Sequence, residues 1–360
     1  MRTRTIAVLS VCVAALGASL LHLHGAGAAP PRPIAVVREP FYADREAVAS
    51  AEVKTRLTVM RREIASSGRE YTIGYTSVFD RPIEAITGLK VPATVATEAA
   101  SQFVAQKTLL SRDVDRLQTW TREHPRLVRP AADTVADFTA SSARGDWRPL
   151  GVVGPVRDQG YCGSCWAFAV MGAYEASYVI RNHRALDSSE QVLVSCSTAG
   201  SCGGGWTGLA LAWLQTKGTA AESVFPYVAG NVPCKPYSAD LLESAWGYVR
   251  PDGVVATTAE LKQAIVEHGP VIVALYATNH FKAYASGVYF EPIPVGALNH
   301  AVVLVGWDDA KQAWILRNSW GTGWGETAGY GAERGYMYLR YGSSDVGIWS
   351  QWVKAQKELL

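Results

Sequence analysis

The sequence has no large excess of positive or negative charge, and it contains no internal repeat and no low-complexity tract. Its 34 lysine and arginine residues nearly balance 32 aspartate and glutamate residues, which leaves a formal net charge of +2. Nucleic-acid-binding domains usually carry a clustered basic excess, so we expect no nucleic-acid partner. The apolar content of 48% favours a packed core over a disordered chain.

Long uncharged apolar runs are absent except near the N-terminus. Residues 6–21 carry no charge, follow Arg2 and Arg4, and lead to the small residues 26–28. A membrane-spanning helix needs about 20 apolar residues, so this shorter run favours a secretory signal peptide over an anchor. We predict cleavage after Ala28, no membrane anchor afterwards, and a secreted product in an extracellular, periplasmic or lysosome-like compartment.

Cysteine is absent from residues 13–161 and from every position after Cys234. Cys12 falls in the predicted signal peptide, which leaves five exported cysteines. They are Cys162, Cys165, Cys196, Cys202 and Cys234. In an oxidising compartment four cysteines can pair, so the odd fifth thiol needs another explanation. This count is the first indication of thiol chemistry.

The predicted secondary structure of the chain changes near residue 146. Before it, we predict helices over residues 45–64 and 97–117, a strand and turn between them with Asp80 and Pro82 as breakers, and an exposed linker over residues 125–145. After it, we predict helices over residues 166–181, 209–217 and 261–268, then strands over residues 271–277, 300–307, 313–320 and 335–341. Helices followed by strands favour an α+β domain with two lobes.

The segment QGYCGSCWAF places Cys165 at the start of the predicted helix over residues 166–181. A helix N-terminus carries partial positive charge, which favours a thiolate, and a neighbouring imidazolium lowers the pKa of a thiol further. Cys165 is therefore the candidate nucleophile. Two other interpretations of the pair Cys162 and Cys165 stay open, a thioredoxin-like redox pair and half of a zinc site.

Histidine is scarce enough to be sorted by elimination. Two histidines fall in the signal peptide, one precedes the linker, two lie at helix ends and one lies in a polar turn; they are His22, His24, His124, His183, His268 and His280. His300 remains, at the mouth of the apolar strand NHAVVLVGW. A cleft between two lobes would present a catalytic base at such a position.

Two carboxamides complete the candidate site. Asn318, in RNSWGTGWG, can hold an imidazole ring in place without neutralising it, and Trp320 can cover that hydrogen bond from water. Gln159 lies six residues before Cys165. Its side-chain N–H and the Cys165 backbone N–H together can stabilise an oxyanion.

These segments together resemble the papain-like cysteine peptidases. The family signature C-G-[SA]-C-[WY] is matched by CGSCW, which ends at Trp166, with His300 and Asn318 lying 135 and 153 residues after Cys165. The segments DWRPLGVVGPVRDQG, SSEQVLVSC, CGGGW, FPYVAG, NHAVVLVGW and RNSWGTGWGE resemble further family blocks and occur in the family's order. The resemblance covers residues 146–348.

The resemblance implies a two-lobed α+β fold. A helical N-terminal lobe and an antiparallel, β-barrel-like C-terminal lobe would hold the active site in the cleft between them. Cys165 would be the nucleophile, His300 the base and acid, Asn318 the residue that orients the histidine, and Gln159 the oxyanion donor.

The resemblance also assigns disulfides and substrate contacts. It implies Cys162–Cys202 and Cys196–Cys234 bonds, which leave Cys165 free. Substrate contacts would come from Gly163, Gly204, Gly205, Trp206, Asn299, Ala301 and Trp320, with Thr207 and Gln351 also near the second substrate pocket. Trp206 suggests a bulky apolar pocket.

The function that follows is a secreted cysteine endopeptidase that hydrolyses peptide bonds through a thioester and is made as an inactive precursor. Residues 29–140 would be a pro-segment that inhibits residues 141–360, the peptidase domain. We expect no metal and no cofactor. The expected partners are polypeptide substrates and protein inhibitors of the cystatin type, and the expected state is a monomer.

The chain departs from the family pattern in three places. The strand-rich part has no cysteine for a third disulfide, and the stretch after Glu326 is longer than usual, which predicts an extra loop. No long insertion separates Cys202 from Cys234, which favours endopeptidase over exopeptidase activity. The pro-segment shows no clear match to the family's helical pro-segment motif.

Three alternative functions remain at this point. One is a thiol–disulfide oxidoreductase that uses Cys162 and Cys165 as its pair. Another is a catalytically silent binding protein on the same fold, although none of the four catalytic residue types is missing. The third is acyl transfer to an amine rather than to water, which requires the same residues.

Overall fold

The computed structural model of the chain describes residues 39–127, 130–292 and 298–359. The predicted signal peptide and the first ten residues of the predicted pro-segment lie outside these ranges. The helices are α1 (Pro40–Ala47), α2 (Ala51–Ser66), α3 (Ile83–Ile86), α4 (Val95–Glu123), α5 (Cys165–Asn182), α6 (Glu190–Cys196), α7 (Thr207–Lys217), α8 (Thr258–His268) and α9 (Asn279–Ala283). The strands are β1 (Tyr71–Ile73), β2 (Arg144–Asp146), β3 (Gly200–Ser201), β4 (Gly204–Gly205), β5 (Glu243–Tyr248), β6 (Val271–Leu275), β7 (Tyr284–Tyr289), β8 (His300–Asp308), β9 (Ala313–Arg317), β10 (Tyr336–Arg340) and β11 (Gln351–Ala355).

The first predicted helix is wrong as a single element, because the chain breaks it into α1 and α2. The Ser50 side chain accepts a hydrogen bond from the Val53 backbone N–H at 3.2 Å and so caps the start of α2. α2 then buries Val53, Leu57 and Ile64, which share one helical face. The strand and turn that follow are confirmed as β1 and the turn around Asp80.

Helix α5 is the buried central helix of the predicted peptidase domain, residues 141–360, which is called the peptidase part below. Nearly all of its residues are buried, because it packs between the helices α6 and α7 on one side and the strands β8 and β11 on the other. It begins at Cys165 and ends at His183, whose φ of 52° stops the helix in the left-handed region. The N-terminus of this helix therefore places Cys165 where the helical and strand-rich parts meet.

The main sheet has the order β1-β7-β10-β9-β8-β6-β11-β5, and β2 pairs with β8. Neighbours run antiparallel except β7 and β10, which are parallel. The four predicted strands correspond to β6, β8, β9 and β10, whereas β5, β7 and β11 are not indicated by periodicity. Within the described ranges the sheet does not close into a barrel, although the α+β architecture is as expected.

Two disulfides connect the segments around the start of α5. Cys162 is bonded to Cys202 and Cys196 to Cys234, as the resemblance implies. Cys165 is the only cysteine in the described part of the chain that is not in a disulfide. Because Cys162 has another partner and the other cysteines are oxidised, a Cys162–Cys165 redox pair and a cysteine-based zinc site are both wrong.

The long helix α4 is confirmed and runs from Val95 to Glu123, beyond the predicted range on both sides. Its contacts with the peptidase part are apolar in the first turns, where Val95 and Ala99 join a buried core cluster, and include polar contacts further along. Gln102 donates to the Trp246 carbonyl at 2.8 Å, and Asp113 forms an ion pair with Arg181 at 2.9 Å with both side chains buried. Neither α4 nor any other helix in the described ranges is long and apolar enough to cross a membrane.

The linker between α4 and the peptidase part is exposed at first and then buried. Residues 131–133 and Val135 are exposed, as predicted. Phe138 is buried, with its ring centroid 5.5 Å from that of Trp147 and 5.3 Å from that of Trp307. β2 then pairs with β8. The chain from Phe138 onward therefore belongs structurally to the peptidase part.

The buried ion pair of α4 leads to a stability prediction. Asp113→Ala would leave the buried Arg181 guanidinium with only the more exposed Asp133 carboxylate, 3.6 Å away, and we expect the precursor to lose about 3 kcal/mol of unfolding free energy. Asp115→Ala, an exposed position on the same helix, should change it by less than about 0.5 kcal/mol. Urea unfolding of both variants measures the difference, and equal effects would contradict a specific role for the ion pair.

Candidate active site

Cys165 is the first residue of α5 and is completely buried. Burial raises the pKa of the thiol to about 11, and this effect outweighs the opposite effect of the nearby backbone N–H groups of Ala301, Gly88, Trp166 and Leu89. A pKa lowered by the helix N-terminus was the expectation from sequence. In this state of the chain it is wrong, since the residues that cover the thiol exclude the water that a thiolate needs.

His300 and Asn318 form the hydrogen bond that the sequence predicts. His300 opens β8 and Asn318 follows β9, and these two strands are antiparallel neighbours. His300 Nε2 lies 2.8 Å from Asn318 Oδ1. If Nε2 carries the proton and donates it to this oxygen, Nδ1 is the basic nitrogen, and Nδ1 has no hydrogen-bond partner in the described ranges. Burial lowers the pKa of His300 to about 4.

Trp320 covers this pair. Its ring stacks on the His300 imidazole with centroids 4.7 Å apart and planes inclined by 29°. The indole is fully buried, and its N–H donates to the Ile86 carbonyl at 3.0 Å. The indole therefore shields the hydrogen bond between His300 and Asn318 from water, as expected.

Gln159 is held by Ser319, a residue that the sequence analysis did not single out. The Ser319 hydroxyl donates to Gln159 Oε1 at 2.7 Å, and Gln159 Nε2 donates one hydrogen to the Cys162 carbonyl at 2.7 Å. An amide nitrogen carries two hydrogens, so the second remains for another acceptor. The only sequence signal for Ser319 is its place directly after Asn318.

The segment of residues 87–90, from the predicted pro-segment, crosses this site as extended backbone. The Gly88 and Leu89 N–H groups donate to the Asn299 carbonyl at 3.0 and 2.9 Å. On the other side, Lys90 N–H donates to the Gly205 carbonyl at 2.9 Å and Gly205 N–H donates to the Gly88 carbonyl at 2.8 Å. Residues 87–90 thus pair with Gly205 on the helical side and with Asn299 on the sheet side.

Glycine is required where this segment passes Cys165. A Cβ on Gly88 would lie 2.0 Å from the Gly163 carbonyl oxygen, and one on Gly204 would lie 2.6 Å from the Gly88 oxygen. Real Cβ atoms do not approach other atoms so closely. The backbone of residues 87–90 therefore lies directly against the backbone of the cleft, with no side chain between them. The sequence of the pro-segment does not indicate this contact.

The other residues expected to contact substrate lie around the same crossing segment. The Ala301 N–H lies near the Cys165 sulfur. The Asn299 side-chain amide exchanges two hydrogen bonds with the backbone of Ala277. The backbone carbonyl of Asn299 is therefore free to accept from the crossing segment. The Trp206 indole N–H donates to Glu98 of α4 at 3.1 Å. Gly205 and Asn299 therefore pair with the crossing segment, and Trp206 contacts α4, which follows that segment in the chain.

A sequence profile described as papain family cysteine protease matches residues 141–355. The chain belongs to this family. The resemblance drawn from the sequence is therefore confirmed, and with it the α+β fold. The profile begins close to the linker, so it covers the predicted peptidase domain and not α1 to α4.

Curated relatives of this papain-family chain cover the same region. Digestive cysteine proteinase 1 of Homarus americanus is 38% identical over 210 residues, which are 55% of this chain and 64% of the relative. Ananain of Ananas comosus is 37% identical over 189 residues, which are 50% of this chain and 52% of the relative. The chain thus spans less than two thirds of the length of these relatives.

Solved structures similar to the papain-family chain include a precursor. The digestive procathepsin L2 proteinase from the larval midgut of Tenebrio molitor superposes with a TM-score of 0.65 and 27% identity, over 88% of this chain and 95% of that one. The bromelain protease of Ananas comosus, in complex with the E64 inhibitor, gives a TM-score of 0.52 and 30% identity, over 59% and 99%. Of these two structures, the precursor is the one whose match extends well beyond the peptidase part.

The buried thiol leads to a pH-dependent prediction. With a pKa near 11 only about one Cys165 thiol in 10⁴ is ionised at pH 7, and the thiolate is the reactive form. Alkylation of the full-length chain by iodoacetamide should therefore be slow at pH 7 and rise roughly tenfold per pH unit up to pH 9. Mass spectrometry of the labelled peptide measures the rate, with Cys165→Ser as the control. Fast labelling that does not change between pH 6 and 9 would contradict the prediction.

The contact of Gly88 gives a second test. Gly88→Ala places a Cβ where the Gly163 oxygen lies, so residues 87–90 must withdraw from the cleft. We expect Cys165 of this variant to be alkylated at least about tenfold faster at pH 7, because a withdrawn segment returns water to the thiol. Ala93→Ser, at an exposed position five residues on, is the matched control. Unchanged labelling of Gly88→Ala would show that the segment does not protect Cys165.

Proposed function

We propose that this chain is the inactive precursor of a secreted cysteine endopeptidase, with Cys165 and His300 as its catalytic residues. The observation that carries the proposal is the hydrogen bond between His300 Nε2 and Asn318, which directs the unpaired Nδ1 away from Asn318. Ala301 follows His300 in the chain and its N–H lies near the Cys165 sulfur, which supports a pairing of the thiol with the imidazole. Membership of the papain family supports the same roles.

The reaction proceeds through a thioester once residues 87–90 have left the cleft. His300 takes the Cys165 proton, and the thiolate sulfur bonds to the carbonyl carbon of a peptide. The carbon–nitrogen bond breaks as His300 returns the proton to the leaving amine. Water then attacks the thioester while His300 accepts its proton, and the acid product leaves as the thiol is restored.

The oxyanion formed in both steps requires two donors. The backbone N–H of Cys165 lies at the start of α5, where helix N–H groups have no partner within the helix. The second hydrogen of Gln159 Nε2 is the other donor, and Ser319 fixes the orientation of that amide. Donors held in place before the reaction act on the charge as it develops.

Inhibition by the pro-segment follows from its path. Residues 87–90 use the backbone groups of Gly205 and Asn299 that an extended substrate needs, and they cover the Cys165 thiol. We place the boundary of the pro-segment near residue 140 and its cleavage within residues 131–137, which are exposed or half-buried and precede the buried Phe138. Polypeptides are the proposed substrates, cystatin-type proteins the proposed inhibitors, and a secreted monomer the proposed state.

Substitution of the catalytic residues tests the proposal. We expect Cys165→Ala to abolish cleavage of a fluorogenic peptide, because no other free thiol faces His300 in the described ranges. Asn318→Ala should lower kcat/KM by about 10²-fold or more, because the imidazole loses the oxygen that orients it. Circular dichroism and N-terminal sequencing establish that each variant folds and is processed by added protease. Cleavage by purified Cys165→Ala would refute the assignment.

A further inference from the structure

Glu98, in the first turn of α4, inserts its carboxylate into a polar pocket of the peptidase part. The Trp206 indole N–H lies 3.1 and 3.2 Å from the two carboxylate oxygens. The Tyr248 hydroxyl donates to one of them at 2.7 Å. The donors are the two neutral groups of a buried tryptophan and a buried tyrosine, which are 2% and 1% exposed.

The pocket exists because residue 208 is glycine. A Cβ on Gly208 would lie 1.9 Å from the Glu98 oxygen, 2.7 Å from the Trp206 indole nitrogen and 2.9 Å from the Tyr248 hydroxyl. All three polar groups therefore meet in the space that a side chain at position 208 would fill. The space accepts a carboxylate without moving the backbone of α7.

A third polar group borders this pocket. Gln351 pairs with Tyr248 across the antiparallel strands β11 and β5, so both side chains stand on the same face of the sheet. The Gln351 amide lies beside the Tyr248 hydroxyl. It is fully buried, and neither of its amide atoms has a hydrogen-bond partner elsewhere in the described ranges. Buried amides without partners are costly, so this side chain favours a polar occupant.

No lysine or arginine forms an ion pair with Glu98 in the described ranges, so neutral donors alone hold its carboxylate there. Trp206, Tyr248 and Gln351 all belong to the peptidase part, whereas Glu98 belongs to the pro-segment. When the pro-segment leaves, the donors stay behind in a pocket that is shaped for a carboxylate. Buried donors that lose their acceptor cost free energy until another acceptor replaces it.

We propose that this pocket, formed by Trp206, Gly208, Tyr248 and Gln351, binds an acidic side chain of the polypeptide substrate. The inference rests on the proposed peptidase function and names a class of substrate for it. Trp206 directly follows Gly205, which pairs with the extended backbone in the cleft. A substrate bound along Gly205 therefore brings a side chain to the indole N–H. The sequence predicts a bulky apolar pocket at Trp206, but the indole N–H and the Tyr248 hydroxyl give this pocket polar donors.

A set of fluorogenic peptides tests the proposal with the processed enzyme. Glu, Leu or Lys replaces each of the three residues on either side of the cleaved bond in turn. We expect one position at which Glu gives a kcat/KM at least about tenfold above Leu and Lys, since a hydrogen bond to a charged group is worth roughly that factor or more. Similar rates for Glu and Leu at every position would overturn the inference.

Tyr248→Phe tests the same pocket from the protein side. It removes one donor with little change of shape, and we expect the Glu-to-Leu ratio of kcat/KM to fall about tenfold. Tyr330→Phe, on an exposed part of the loop after Glu326, should leave the ratio unchanged. An unchanged ratio in Tyr248→Phe would overturn the proposal. Cleavage of none of the peptides by the wild-type enzyme would refute the proposed function instead, so the two failures are distinguishable.

Discussion

The backbone contact of residues 87–90 with the cleft is the interaction on which the rest of the site depends. Gly88 lies so close to Gly163 and Gly204 that no side chain and no water fits between them. The pairing occupies the hydrogen-bonding groups of Gly205, and it also withdraws Cys165 and His300 from solvent. Burial raises the pKa of the thiol and lowers that of the imidazole, so the uncharged forms of both are favoured at neutral pH. Access and reactivity are thus controlled by one contact.

Much of the site could be predicted from the sequence because its catalytic residues lie in short segments that indicate their roles by themselves. Cys165, His300 and Asn318 each lie in a short motif whose position in a helix or strand follows from periodicity. Gly88 and Glu98 could not be found in this way, since their roles arise only from contacts with residues about 75 or more positions away. The raised pKa of Cys165 was missed for the same reason, because its cause is coverage by a distant segment.

The fold shows the same division between local and distant causes. The helix α5 and the strands β6, β8, β9 and β10 have strong periodic patterns, and the sequence predicts them. The break between α1 and α2 depends on one capping serine, which competes with a continuous helical pattern. Strand β5 is held by β11, more than a hundred residues later in the chain, so its own sequence is a weak guide.

Strand β1 has a consequence for the protein after activation. It pairs with β7 along Tyr71 to Ile73 and forms one edge of the main sheet. If the pro-segment departs as proposed, the β7 backbone from Tyr284 to Gly287 loses this partner and becomes an open edge with free N–H and carbonyl groups. Such edges recruit strands from other chains and promote aggregation. We therefore expect the precursor to aggregate less readily at high concentration than the processed protein, because β1 covers this edge.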